Sequence, residues 1–278
     1  MNEERRKRLA KAANQVRKGI LEEVYSAQSG HPGGSLSIAD VMTYLYQEEL
    51  RVDTNNPKWE DRDRLVLSKG HVCPALYAAL AQKGFFPWEE LKTFRQVGSR
   101  LQGHPDLNKA PGVDFTAGSL GQGVSAAAGI ALAGKIAGKN YRVYAILGDG
   151  ELQEGEVWES AMFSAHYKLD NLCYIIDNNG LQIDGNIQDV CSPYPIDKKF
   201  EAFGFEVIVI DGHDFDQIEA AVEKAKTITG KPVAIIAKTV KGKGVSFMEG
   251  KASWHGSAPN EEQYKTAMDD LAKIEEVL

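Results

Sequence analysis

Two short polar clusters in this sequence could hold a metal ion and a phosphate between them. The apolar run 141–147 ends in Gly148-Asp149-Gly150, and a second apolar run, 172–176, ends in Asp177-Asn178-Asn179-Gly180. Asp149 and Asn179 offer hard oxygen donors. Mg²⁺ takes about six such oxygens and usually shares them with phosphates and water. Gly148 and Gly150 would let a diphosphate approach the backbone with no Cβ in the way. The helix expected after them would turn its free N–H groups and positive end in the same direction. Each cluster taken singly is an ordinary turn. As a pair they are more specific, because 27 residues separate Gly150 from Asn178 and each cluster closes an apolar strand. Four histidines, His31, His71, His104 and His255, stand in loops beside a glycine. Imidazoles suit proton transfer near neutral pH, and loops on a rigid scaffold are where such groups are displayed. His166, on a helix expected to be buried, and His213, in a loop after a strand, read as structural.

The scaffold follows from hydrophobic period. Leu9, Ala13, Val16, Ile20 and Val24 form a helical stripe over 3–28, broken by the loop Ser29-Gly30-His31-Pro32-Gly33-Gly34. Ser37 is placed to cap a second helix running to Leu50. Residues 64–67 read as a strand, 75–82 as a helix ending near Gly84, and Pro87 as the first turn of another helix. The small-residue stretch 121–138 permits close packing, and 154–169 reads as a helix apolar on most faces, hence buried. Runs 141–147 and 172–176 read as buried strands, and a strand at 205–210, a helix at 216–227 and a strand at 233–237 continue the alternation. Alternating strands and helices mean an α/β fold, a parallel β-sheet flanked by helices. In such a sheet ligands bind beyond the carboxyl ends of the strands. The glycine-rich segment 242–260 reads as irregular, and 261–276 as a terminal helix.

Composition narrows the function classes. With 278 residues, 43% of them hydrophobic, the chain can fill one large core, and it shows no linker. A net charge of −7 argues against non-specific nucleic-acid binding. The cluster Arg5, Arg6, Lys7 and Arg8 reads as a solvated helix start. Three widely spaced cysteines, Cys73, Cys173 and Cys191, give neither a disulfide framework nor a zinc pattern and suit a reducing, cytoplasmic setting. There is no apolar run long enough for a membrane span and no signal-peptide core.

Gly148-Asp149-Gly150 followed by Asn178-Asn179 is similar to the thiamine-diphosphate signature, and five further segments resemble transketolases, in transketolase order. These are Ser29-Gly30-His31-Pro32-Gly33-Gly34, Ser68-Lys69-Gly70-His71, Gly103-His104-Pro105-Asp106, Gly118-Ser119-Leu120-Gly121-Gln122-Gly123 and Trp254-His255-Gly256. The resemblance implies that residues 1–278 form one diphosphate-binding domain with an irregular C-terminal segment. It implies Mg²⁺ held by Asp149, Asn179 and the carbonyl of Leu181, and thiamine diphosphate contacted by Gly118, Leu120, Gly148, Gly150, Glu151 and Ile183. Lys69 and Lys241 would lie near the phosphates or the substrate entrance, and His31, His71, His104 and His255 in the cleft. Of these, His255 and His104 would handle protons or an oxyanion, while His31 and His71 would position substrate hydroxyls and the cofactor phosphate. Glu154 and Glu159 resemble acids that link paired sites across the family's subunit interface. The implied activity is transfer of a two-carbon ketol unit between sugar phosphates, as in the pentose phosphate pathway. The family's pyrimidine-binding domain, with the glutamate that activates the cofactor, has no counterpart before Leu278. Met1 and the terminal helix read as natural ends, so that domain is expected on a C-terminal partner subunit in an α2β2 assembly, and this chain alone is expected to be inactive. The alternatives are a subunit of a deoxyxylulose phosphate synthase-like or 2-oxoacid dehydrogenase-like enzyme, or a non-catalytic regulatory half. The histidine loops argue against the dehydrogenase.

Overall fold

The five expected strands all form, and they form one sheet. The structure, a computed structural model, describes residues 1–278. Strands β1 (Arg64–Leu67), β2 (Val143–Gly148), β3 (Leu172–Asn178), β6 (Glu206–Asp211) and β7 (Val233–Lys238) are parallel, in the order β1-β2-β3-β7-β6. A two-residue hairpin, β4 (Leu181–Gln182) with β5 (Gly185–Asn186), stands apart from the sheet. The central strands are apolar on both faces because both faces are covered. Leu65, Leu67, Tyr144, Ile146, Cys173 and Ile175 point into one core, and Val66, Val143, Ala145, Leu147, Tyr174 and Ile176 into the other.

The first core is closed by α1 (Glu3–Ala27), α3 (Ala39–Tyr44), α4 (Cys73–Lys83), α9 (Phe215–Thr227) and α10 (Glu261–Val277). The second is closed by α5 (Gln122–Ile136), α6 (Gly155–His166) and α8 (Ile196–Ala202). Helix α1 carries its predicted stripe inward, with Leu9, Ala13, Val16, Ile20 and Val24 buried. Its basic start is the exposed helix start expected from the sequence, and it is also paired: Arg5 and Arg8 with Glu48, and Arg6 with Asp216 of α9. Helix α4 ends at Gly84, whose φ of 99° only glycine adopts without strain.

Four expectations need correction. The loop after Ser29 is already helical from Pro32, as α2 (Pro32–Ser37), so Ser37 caps nothing; its hydroxyl donates to Asp177 Oδ2 instead, with Gly34 O 2.9 Å away. The helix expected through Leu50 is α3 followed by a looser turn, Leu45–Glu49. Pro87 stands just before a short 3₁₀ turn, Trp88–Thr93, rather than inside a helix. Helix α6 is buried only along Val157, Ser160, Ala161 and Ser164; Met162 is 59% and Phe163 37% exposed, and His166 is exposed. An outer row of apolar side chains reads as burial in sequence, whatever the face meets. The segment 187–202, which carries α7 (Ile187–Cys191) and α8, is not foreseen from the sequence, because helices of 5 and 7 residues are too short for period to show.

Candidate functional site

The parallel register brings four strand ends level. Leu67 pairs with Ile146, Gly148 with Asp177, and Asp177 with Ala237. The segments that leave those ends, around Lys69, Asp149, Asn179 and Lys241, line a cavity of about 410 Å³. Every residue expected at the site lines this cavity except His104. Gly34, Gln153, Glu154, Gln182 and Asp184 complete the lining. His104 sits on the exposed rim; a Cβ placed on Gly118 would lie 3.9 Å from its ring.

Asp149 ties the two polar turns together. Its Oδ1 accepts from Gly150 N at 2.9 Å, and its Oδ2 accepts from Gly180 N at 2.6 Å and Asn178 Nδ2 at 3.1 Å. Burial and the nearby Asp177 charge nevertheless raise its carboxyl above the ordinary range. Asn179 Oδ1 accepts from Leu181 N at 3.1 Å, and Leu181 O accepts from Lys241 Nζ at 3.1 Å. Asp149, Asn179 and Leu181 all line the cavity and supply oxygen donors, and Asp149 is itself a buried carboxylate that a cation would relieve. That set fits a hard divalent ion. Gly148 and Gly150 leave room above them: a Cβ on Gly150 would meet nothing nearer than Gln182 Oε1 at 3.4 Å.

Two carboxylates absent from the functional reading of the sequence, or given another role there, build the floor. Asp177, fully buried, accepts from Lys69 Nζ, Ser37 Oγ, Thr239 Oγ1 and Asn179 Nδ2. Burial pushes its carboxyl up, and the Lys69 ammonium with the hydrogen bonds outweighs this, leaving it below the ordinary value. Lys69 is therefore not at the entrance; it is 2% exposed and committed to Asp177. Glu151 lines the cavity but turns both oxygens into the wall, where Ser68 Oγ, Gly121 N and Gly148 N donate to them. The position of Asp177, a charge closing a buried strand, is the signal available in the sequence.

Three histidines converge in the same cavity. The ring centroids of His31, His71 and His255 lie 5.1, 5.4 and 5.2 Å apart. Burial, then neighbouring positive charge, lowers all three: His31 to about 4, His255 to about 3, and His71 well below its ordinary value. They are neutral imidazoles at neutral pH, able to accept and donate. Lys241 Nζ lies 3.1 Å from His255 Nδ1; with Nδ1 accepting, the ring hydrogen sits on Nε2. Burial and Lys69 lower Lys241 to about 8. Ile183, at the tip of the β4–β5 hairpin, is 68% exposed and hangs over the cavity edge.

Residues 8–272 match the family described as transketolase, thiamine diphosphate binding domain. The chain is 49% identical over 261 residues to the 6-deoxy-6-sulfo-D-fructose transketolase subunit of a Clostridium species, covering 94% of this chain and 95% of the relative. It is 42% identical to an apulose-4-phosphate transketolase subunit of Phocaeicola vulgatus, covering 92% and 91%. It is 44% identical to human transketolase, but there it covers 89% of this chain and only 39% of the relative. The crystal structure of Campylobacter jejuni transketolase superposes with a TM-score of 0.90 at 38% identity, over 98% of this chain and 43% of that one.

Proposed function

The chain belongs to the transketolase thiamine diphosphate-binding domain family, and on that premise we propose that it is the N-terminal subunit of a two-chain transketolase acting on anionic ketoses. The observation that carries this is the meeting of Asp149, Asn179 and Leu181 O with three neutral histidines in one cavity. Thiamine diphosphate, when bound, supplies the nucleophilic carbon and electron sink for breaking and making the carbon–carbon bond. In this reading Asp149, Asn179 and the Leu181 carbonyl hold Mg²⁺, and the Gly148–Gly150 turn receives the diphosphate. Lys241, the cation at the cavity wall, faces the same charge. His31, His71 and His255 take up and return hydroxyl protons and donate to oxygen as it becomes negative; His104 stands at the rim, outside the cavity lining.

The partner subunit is part of the proposal. The relatives covered almost end to end are themselves named subunits. The outer face of α6 supports a docking role: Met162 and Phe163 are exposed there, one turn from exposed Glu159, while Glu154 stands exposed at the start of the helix, where it lines the cavity. An α2β2 assembly, with the activating glutamate on the partner, accommodates this face. A cytoplasmic setting is supported by the free thiols, Cys73 and Cys173 buried and Cys191 exposed. No helix is long and apolar enough to cross a membrane. The two relatives that are subunits are named for a sulfonated ketose and a ketose phosphate, which supports a donor with an anionic tail.

The test is ketol transfer with Mg²⁺ and thiamine diphosphate, alone and with the candidate partner, across ketose phosphates and a sulfo-ketose. Activity only with the partner, abolished by Asp149→Ala, is the expected result. A reconstituted complex that binds the cofactor yet forms product from no ketose would overturn it.

A further inference from the structure

His213 is outside the cavity and reads from sequence as a structural histidine, but its two ring nitrogens hold specific and different partners. Nδ1 lies 2.7 Å from Asp40 Oδ2, and Nε2 accepts the Val240 amide hydrogen at 2.9 Å. Because Nε2 accepts, Nδ1 carries the hydrogen and donates it to Asp40. Asp40, on α3, is 5% exposed, and the same Oδ2 accepts from Arg17 Nη2 at 2.5 Å. Arg17, on α1, donates from Nε to Lys243 O at 3.1 Å. The turn Val240–Lys243 is thus held on both sides of Lys241, by His213 at Val240 N and by Arg17 at Lys243 O.

His213 and Arg17 satisfy the two backbone groups of this turn that its other ties leave free. Strand β7 ends at Lys238, so Val240 N has no ladder partner. The turn's other ties are Thr239 N to Asn178 O at 3.2 Å, Thr239 Oγ1 to Asp177, Lys243 N to Val240 O at 3.2 Å, Gly242 N to Gly33 O at 2.9 Å and Gly250 N to Lys241 O at 2.9 Å; none of these reaches Val240 N or Lys243 O. From this turn Lys241 reaches Leu181 O and His255. We propose that His213 is a positioning residue for the cavity: with Asp40 and Arg17 it buckles the Val240–Lys243 turn and so fixes where Lys241 enters. The consequence for cofactor binding rests on the function proposed above; the buckle does not.

Two substitutions separate the roles of the two nitrogens. His213→Gln can place an amide oxygen where Nε2 stands, keeping an acceptor for Val240. His213→Asn can place an amide N–H where Nδ1 stands, keeping the donor to Asp40 but falling short of Val240. Hydrogen–deuterium exchange of residues 238–245 in this chain is the first measurement. His213→Asn should speed exchange there about 2- to 10-fold, the worth of one hydrogen bond, and His213→Gln should restore most of the protection. In complex with the partner, the half-saturating concentration of thiamine diphosphate should rise by a similar factor in His213→Asn, with the turnover at saturating cofactor within about twofold of wild type. Protection restored by Asn rather than Gln, or unchanged in both variants, would overturn the proposal. So would nitrogen chemical shifts of wild-type His213 reporting an Nε2–H tautomer, a test that stands even if the variants fail to fold. If wild type itself binds no thiamine diphosphate, the proposed function fails while the exchange result still decides the buckle.

Discussion

Helix α5 offers one substitution at two positions with opposite expected outcomes. A Cβ on Gly123 would stand 2.5 Å from Ser68 Cα, 2.7 Å from its Oγ and 2.8 Å from its Cβ. Carbon contacts are comfortable at about 3.5–4.0 Å, so the two segments must part by about 1 Å. Ser68 is poorly placed to yield. Its amide donates to Ile146 O at 2.9 Å, its hydroxyl to Glu151, and the next residue is paired with Asp177. Overpacking of this kind costs about 1–3 kcal/mol, against a gain of about 0.5–1 kcal/mol from replacing a helical glycine. Gly129, six residues on, has nothing within 4 Å of its Cβ position and is exposed, so Gly129→Ala keeps only the gain. With about 2–4 °C per kcal/mol for a chain of this size, the net cost should make Gly123→Ala lower Tm by up to about 10 °C, and Gly129→Ala should raise it by about 1–4 °C. Calorimetry of this chain reads both. The segment displaced by Gly123→Ala carries Lys69 and His71, so thiamine diphosphate titration of the assembled complex should weaken for that variant and not for Gly129→Ala. A Tm for Gly123→Ala at or above that of wild type would refute the close contact from which both expectations derive.

Glu23 is fully buried with no hydrogen-bond partner on either oxygen, and burial raises its carboxyl well above the ordinary value. The folded state therefore holds that proton more tightly than the unfolded one, and stability should fall as pH rises above the unfolded value of about 4.5; Glu23→Gln should flatten this slope in Tm against pH. The histidines work in the opposite sense. Folded values of about 4 for His31 and about 3 for His255 mean that stability is lost as pH falls below 6.5, the model-peptide value, until those values are reached. A His31→Gln, His255→Gln double variant should lose less over that range in the same measurement. Lys69→Met leaves the Asp177 charge buried and unpaired and should cost about 3–5 kcal/mol in denaturant unfolding. Adding Asp177→Asn should recover part of that loss, whereas no recovery would mean that the pair is not what stabilises the floor.

The sheet is legible because its central strands are buried on both faces, which leaves runs such as 172–176 with no polar interruption. The cavity was legible because its polar residues sit at the first positions after those runs, where a parallel sheet presents them together. What failed was local. Ser37 has the composition of a helix cap and stands before an apolar stretch, yet its hydroxyl is used by Asp177. Helix α6 looked buried because Met162 and Phe163 are apolar, but nothing in a sequence separates a face turned to the core from one left at the surface.

The deeper omission was the hidden polar framework, and its cause is sequence distance. Asp177 draws donors from Ser37, Lys69 and Thr239, which lie 140, 108 and 62 residues away. Glu151 draws on Ser68, 83 residues away, and His213 reaches Asp40 across 173. No spacing rule covers such separations. Residues that face a ligand announce themselves in short loops rich in glycine and histidine, because the ligand constrains them locally. Residues that hold those loops in place are constrained only by one another in the folded chain, and a buried carboxylate is tolerated there only when its donors arrive together. Asp177, Glu151 and Asp40 each gather such donors from separate segments. If this is how the cavity keeps its shape, conservative changes at these three carboxylates should disturb Lys69, the Gly148–Gly150 turn and Lys241 respectively, before any residue lining the cavity is altered.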